Sequence, residues 1–179
     1  MLLLTGRPGV GKTSVLLRIV EALRVKGFTV GGVVTREVRM EGARVGFEIL
    51  DLNTGSKGWL AHMNQEQGLR VGKYGVNLKN LEDIGVQAIT NAVRDSEVIV
   101  IDEAGPMELH SEAFKQAVRG AANSSKLVVG VVHWAATDRL IDELRGRNDA
   151  RLYSVLPENR ESLHLTIVEE ALEFLSETV

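Results

Sequence analysis

The first 26 residues constrain this chain more than any other segment. Leu2-Leu3-Leu4-Thr5 is a short apolar run, and Gly6-Arg7-Pro8-Gly9-Val10-Gly11-Lys12-Thr13 follows at once. Ser14 to Lys26 then has helical spacing, with Val15, Leu16, Ile19, Val20 and Leu23 on one side. Strand, glycine-rich loop and helix, with the loop fitting G-x-x-x-x-G-K-[ST], is the P-loop or Walker A pattern. The chemistry explains the residue types. Backbone N–H groups wrap a polyphosphate only where no side chain blocks its approach, hence the glycines. The helix N-terminus adds further N–H groups and its positive dipole end. Lys12 is placed to reach the β- and γ-phosphates, and the Thr13 hydroxyl to ligate Mg²⁺. Gly6, Arg7, Pro8, Gly9, Val10, Gly11, Lys12 and Thr13 are therefore expected to bind nucleotide.

A second signal lies at Val98-Ile99-Val100-Ile101-Asp102-Glu103. Four apolar residues followed by an acid form a Walker B element, as expected of a parallel strand buried on both faces. Asp102 is expected to hold Mg²⁺ through a water, with Thr13 as the other metal ligand. Glu103 is placed to orient or deprotonate an attacking water. Lys12 and Glu103 are thus the expected catalytic pair, and Asp102 and Glu103 join the nucleotide-binding set. Strand ends line the ligand crevice in such sheets, so His133 and Trp134, after the apolar run Leu127–Val132, are secondary candidates. Asn159 and Arg160, in the loop after the last strand, are base-side candidates. Arg145, Arg147 and Arg151 are one place to look for a catalytic arginine, although basic residues also favour a helix end for electrostatic reasons alone.

The remaining pattern predicts an α/β P-loop fold with a mainly parallel central sheet. One domain over residues 1–179 is expected. Phe28 to Thr35 reads as the second strand, parallel to the first, and Gly31-Gly32 as a bulge or a close backbone approach. From about 36 to 77 the α/β rhythm breaks. Alternating apolar residues over Ala43–Leu52, a strand-like Lys57–Met63, a glycine-studded Leu69–Val76, and turns at Glu41-Gly42 and Asn53-Thr54-Gly55 predict an inserted antiparallel β excursion. Helices are expected over Leu78–Asp95, Ser111–Ala122, Thr137–Leu144 and Glu161–Glu177, and a last strand over Leu152–Leu156.

Charge and composition narrow the function. A net charge of −3 over 179 residues gives no general electrostatic case for nucleic acid or membrane binding. Arg36, Arg39 and Arg44 form only a modest basic patch, read as solvating a hairpin. The chain has no cysteine, so thiolate metal sites and disulfides are excluded. His62, His110, His133 and His164 are scattered, and no apolar run approaches a membrane span. A cytoplasmic protein is expected.

Several stretches together resemble the thermophilic-type (THEP-type) P-loop nucleoside-triphosphatase family, to which the human cancer-related nucleoside-triphosphatase is related. They are Gly6–Ser14 (GRPGVGKTS), Thr35–Gly55 (TREVRMEGARVGFEILDLNTG), Gly72–Leu78 (GKYGVNL), Val98–Leu109 (VIVIDEAGPMEL) and Glu158–Arg160 (ENR). The family pattern after the acidic pair is DEIGKMEL-like; this chain has Ala104 and Pro106 where the family has a larger aliphatic residue and a lysine. The resemblance implies a three-layer P-loop NTPase fold, RecA-like or kinase-like, with added antiparallel strands, and Mg²⁺-dependent hydrolysis of ATP, GTP, CTP and UTP to diphosphate and phosphate, with loose base selectivity. The chain also lacks a guanine-selecting N-K-x-D motif. Two other readings fit the same P-loop: a nucleotide or small-metabolite kinase with an unidentified acceptor, and a nucleotide-gated binding module.

Overall fold

Residues 1–177 are described by a computed structural model, in which the apolar runs of the sequence become the middle of a nine-stranded mixed sheet. The strands are β1 (Leu2–Thr5), β2 (Val30–Met40), β3 (Ala43–Asp51), β4 (Lys57–His62), β5 (Arg70–Val71), β6 (Tyr74–Val76), β7 (Val98–Ala104), β8 (Leu127–Val132) and β9 (Arg151–Ser154), in the order β5-β6-β4-β3-β2-β7-β8-β1-β9. From β2 to β9 every pairing is parallel; from β2 to β5 every pairing is antiparallel. A parallel sheet with an attached antiparallel excursion is thus as the sequence predicts, the two parts contributing four pairings each among the described residues. The expected β1–β2 relation needs refining. The two strands are parallel but not neighbours, because β7 and β8 lie between them.

Burial on both faces explains the unbroken apolar runs. Leu2 and Leu4 pack on one side with α1 (Lys12–Val25) and α6 (Leu163–Glu177), whereas Leu3 packs on the other. Val98 and Val100 alternate with Ile99 and Ile101 in the same way. The second face is covered by α3 (Gln87–Asp95), α4 (Glu112–Ala122) and α5 (Arg139–Arg145), with Phe114, Ile89 and Leu140 fully buried there. Ser111 caps α4, its hydroxyl accepting from the Phe114 N–H at 3.1 Å, and Asp138 caps α5 through the Leu140 N–H at 2.8 Å.

The helix expected over residues 78–95 is not uniform. It comprises α2 (Leu78–Asn80), a π-wound stretch Leu81–Val86, and α3. The wider winding changes the angular spacing of side chains. Leu81, Ala88, Ile89 and Ala92 are buried as the periodicity predicts, but Ile84 is only partly so. The turn at Glu41-Gly42 has positive φ at both residues (50° and 80°), the geometry of a tight two-residue hairpin. β2 therefore runs on to Met40, past the expected end at Thr35, and carries the excursion with it.

Of the two readings of Gly31-Gly32, close approach is correct. Gly32 has φ 116°, and a Cβ there would stand 2.1 Å from the Val100 carbonyl oxygen of the paired strand β7. Gly32→Ala should cost about 2–4 kcal/mol, combining strained backbone with a clash in the sheet centre. Gly120→Ala in α4, where a Cβ meets nothing within 4 Å, should be neutral or stabilising by up to about 1 kcal/mol. Urea midpoints compare the two; equal midpoints would remove the steric account of Gly32.

Candidate active site

The C-terminal ends of β1, β7 and β8 bring the two sequence signals together. The P-loop leaves β1 and enters α1 at Gly11, which has φ 109° and is the N-cap of the helix. No side chain caps this helix start and its first turn holds no acidic residue. The N–H groups of the first turn lack intrahelical partners by geometry, so they are free to meet an anion. Gly6 and Gly9 also have positive φ, which lets the loop curl back on itself. Lys12 is 8% exposed and bends over the loop, donating from Nζ to the carbonyls of Gly6 (3.1 Å) and Arg7 (3.3 Å). Its ammonium also lies 3.9 Å from Glu103 Oε2.

Asp102 stands across from the loop, 3% exposed at the end of β7. The Thr13 hydroxyl and the Thr35 backbone N–H favour the charged form of its carboxyl group, and Oδ2 is buried without a hydrogen-bond partner. Burial pushes this carboxyl up to about 7; the negative Glu103 adds to the rise, while Thr13, Thr35 and Lys12 oppose it. Glu103 Oε1 is likewise buried and unpartnered. Two orphaned carboxylate oxygens beside a lysine and a threonine hydroxyl are costly unless something binds there. Among the described residues no three His, Asp or Glu side chains converge as a protein-only metal cage. The Thr13–Asp102 pair instead offers one hydroxyl and one carboxylate. That donor set suits a hard divalent cation that completes its shell with water and phosphate oxygens.

Two residues at this site were not singled out by the sequence reading. Thr35 lies on β2 two residues beyond its pairing with β7, and its hydroxyl donates to the Asp102 carbonyl. Glu108, 7% exposed, lies in the short 3₁₀ turn Glu108–His110, where the backbone N–H groups of Glu108 itself and of Gly105 favour its charged form. A Cβ on Gly105 would lie 3.4 Å from both a Glu103 and a Glu108 carboxylate oxygen, so the two acids flank one point. Burial raises the Glu108 carboxyl to about 8, with Glu103 and Asp102 pushing the same way. The signal available in sequence was an acid five residues beyond Glu103, too common a pattern to weigh alone.

The raised Glu108 has a consequence for stability. Its folded-state value lies above the ordinary carboxylate value, so between about 4.5 and about 8 the folded chain holds a proton that the unfolded chain releases. Stability of the nucleotide-free protein, in chelator, should fall as pH rises through that window. Glu37, Glu97 and Glu170 are held below their ordinary value, so their contribution is already complete above pH 5.5. Thermal midpoints at pH 5.5 and 8 should drop for the wild type and drop less for Glu108→Gln. Parallel curves for the two proteins would show that Glu108 does not carry the effect.

Two cavities flank the P-loop and share Pro8 and Gly9. One, of about 630 Å³, is lined by Lys12, Thr13, Asp102, Glu103, Glu108 and His133. The other, of about 790 Å³, is lined by Trp134, Arg145, Leu156, Pro157 and Arg160. His133 and Trp134 thus separate to opposite sides of the loop. His133 Nδ1 accepts from the Ala135 N–H at 3.2 Å, and Trp134 is 46% exposed. Of the base-side candidates, Arg160 faces the cavity and packs its Cδ near Gly11, whereas Asn159 is occupied within its own loop. It accepts from the Leu156 N–H and donates to the Ser154 carbonyl, each at 2.9 Å. The arginine cluster also divides. Arg145 lines the second cavity and holds the His133 carbonyl at 2.9 Å. Arg147 pairs with Asp149, and Arg151 with Glu170, beside a third cavity of about 450 Å³ around Met1 that contains none of the P-loop residues. No described helix is long and apolar enough to cross a membrane.

Comparison with known proteins agrees with this geometry. The family model described as NTPase matches residues 1–168. The chain is 48% identical to Nucleoside-triphosphatase THEP1 of Thermofilum pendens, over 90% of this chain and 89% of that protein. It is 43% identical to Nucleoside-triphosphatase THEP1 of Methanopyrus kandleri, over 97% and 96%. The crystal structure of THEP1 from the hyperthermophile Aquifex aeolicus superposes with a TM-score of 0.86 at 33% identity, covering 96% of this chain and 99% of that one. The solution structure of a human cancer-related nucleoside triphosphatase gives 0.80 at 35% identity, covering 94% and 95%. With the model match spanning most of its length and the P-loop fold shared throughout, this chain belongs to the NTPase family.

Proposed function

We propose that the chain is a nucleoside-triphosphatase that cleaves the γ-phosphate of ATP, GTP, CTP and UTP with water, using Mg²⁺, and that residues 1–179 act as one nucleotide-binding domain with the excursion at about 36–77 inserted in it. The observation that carries this reading is the orphaned Asp102 Oδ2 and Glu103 Oε1 facing the P-loop lysine and threonine. The loop backbone from Gly6 to Thr13 cradles the phosphates. Lys12 exchanges the Gly6 and Arg7 carbonyls for phosphate oxygens and neutralises charge that grows in the transition state. Thr13 and Asp102 would hold the Mg²⁺, which would supply positive charge to offset that of the triphosphate. Glu103 orients the water in line and takes its proton on Oε1. The products are the nucleoside diphosphate and inorganic phosphate.

The lining of the second cavity supports a reading of loose base selectivity. Trp134, Leu156 and Pro157 offer surface that any base can stack or pack on. Asn159, the side chain best suited to reading a base edge, is engaged in its own loop. Phosphate release from the four triphosphates, with Mg²⁺ and then with excess chelator, tests the reading. Rates within about tenfold of each other are expected, as stacking predicts, and chelation should bring all four to background. A single accepted base, or turnover that survives chelation, would contradict it.

A further inference from the structure

The cavity that holds Glu103 has two electrostatically different ends. Lys12, Thr13, Asp102, Glu103 and Glu108 line one, and Glu37, Arg39, Arg44 and Tyr74 of the excursion line the other. Thr35, Glu37 and Arg39 all enter the cavity from β2, and Thr35 contacts Asp102. At the ordinary rise of a strand, Glu37 and Arg39 follow Thr35 by about 7 and about 13 Å. A γ-phosphate held at Lys12 therefore leaves the excursion end for another group.

In that end two guanidinium groups share one carboxylate. Arg39 donates from Nε to one Glu37 oxygen, and Arg44 donates from Nη1 to the other at 2.9 Å. Burial pushes the Glu37 carboxyl up, but Arg44 and Arg39 outweigh burial and hold it below its ordinary range, so it is ionised at neutral pH. The three groups carry one net positive charge. Lys73 Nζ, 5.4 Å from the Tyr74 ring centroid, adds to it. Both guanidinium groups are also fixed in place. Arg39 Nη1 donates to the Gly42 carbonyl at 2.9 Å, and Arg44 Nε donates to the Tyr74 hydroxyl at 2.8 Å while its guanidinium lies over the Phe47 and Tyr74 rings. Donors remain beyond these bonds. Nη2 of each arginine has no hydrogen-bond partner among the described residues. Tyr74, 6% exposed, spends its oxygen on Arg44 and keeps its own O–H proton to donate.

We infer that the excursion end is an oxyanion subsite for a second phosphate group, bound by Nη2 of Arg39 and of Arg44 and by the Tyr74 hydroxyl, on the reading above that the γ-phosphate sits at Lys12. Charge-assisted bonds from preorganised arginines are the strong form of phosphate recognition. Inorganic phosphate released by hydrolysis and the phosphate of a monoester second substrate present the same oxygens to these donors.

Protein loaded with Mg²⁺ and the non-hydrolysable ATP analogue AMP-PNP has its P-loop filled, so a further anion reports on the excursion end. Isothermal titration at constant ionic strength then compares inorganic phosphate with AMP. Saturable binding is expected for the wild type. Arg39→Met and Arg44→Met, which keep an apolar stem, should each weaken it by about tenfold or more, the scale of a hydrogen bond to a charged group. Glu37→Gln removes the competing carboxylate and should tighten it, a change that misfolding cannot imitate. The AMP-PNP stoichiometry gives the folded fraction of each variant. AMP binding tighter than phosphate assigns the subsite to a second substrate, and phosphate binding at least as tightly assigns it to the departing product. No saturable anion binding by the loaded wild type, or binding unmoved by all three substitutions, would overturn the inference and leave the triphosphatase standing. AMP-PNP affinity that falls in step with anion affinity in Arg44→Met would overturn it too, because the arginines would then hold the γ-phosphate. Failure of the wild type to bind AMP-PNP would remove the hydrolytic reading, and this one with it.

Discussion

Lys12→Ala is expected to lower kcat/KM for ATP by about a thousandfold or more, the scale of losing a preorganised charge at the developing transition state. The expectation rests on position. Lys12 is almost wholly buried at the mouth of the loop, with its ammonium on two carbonyls that a phosphate can displace. The other lysine and arginine side chains in the same cavity, Arg39 and Arg44, are engaged with Glu37 and stand among the residues of the excursion. Neither can substitute for Lys12. Nucleotide affinity should fall with turnover, because the lysine contacts the ground-state phosphates as well. Alanine is a good helix former and α1 begins at this residue, so the fold should persist. Steady-state kinetics with circular dichroism check both halves. A kcat/KM within about tenfold of wild type would mean that the phosphates lie elsewhere.

Glu103→Gln should separate binding from chemistry. The amide keeps the volume of the carboxylate but cannot take a proton from water. Turnover is expected to fall by about a hundredfold or more, the usual contribution of a positioned base, with nucleotide affinity held or improved. Removing a negative charge from beside the phosphates favours the bound state, since Glu103 Oε2 lies 3.9 Å from the Lys12 ammonium and shares its cavity. Glu103→Gln with unchanged turnover would transfer the base role to another group, and Glu108, across Gly105 in the same cavity, would be the first to examine.

The parts of the fold legible in sequence are those where one physical constraint acts alone. β1, β7 and β8 are buried on both faces and so are continuously apolar, and Gly6 to Thr13 carries a spacing that only a phosphate-binding loop requires. Strand order was not legible, because nothing local in Leu2–Thr5 or Val30–Met40 records that β7 and β8 pass between them. The π winding at Leu81–Val86 was hidden for a similar reason: it answers to packing on the sheet, where Gly85 comes directly against Ile49. Thr35 went unnoticed because it enters the site only through its contact with Asp102, 67 residues away, and Glu108 because an acid five residues beyond Glu103 is too common a pattern to weigh alone. Asn159 is the opposite case. Its position was readable, but its hydrogen bonds to its own loop were not.

A single-turnover comparison of wild type, Lys12→Ala and Glu103→Gln, with enzyme in excess over ATP and Mg²⁺ present, tests whether the P-loop and the end of β7 form one hydrolytic centre. Wild type should convert all bound ATP to ADP and phosphate. Glu103→Gln should bind the same ATP and hold it uncleaved over the same period, and Lys12→Ala should scarcely bind it. Cleavage by Glu103→Gln at the wild-type rate, or full binding and cleavage by Lys12→Ala, would show that the hydrolytic centre lies elsewhere.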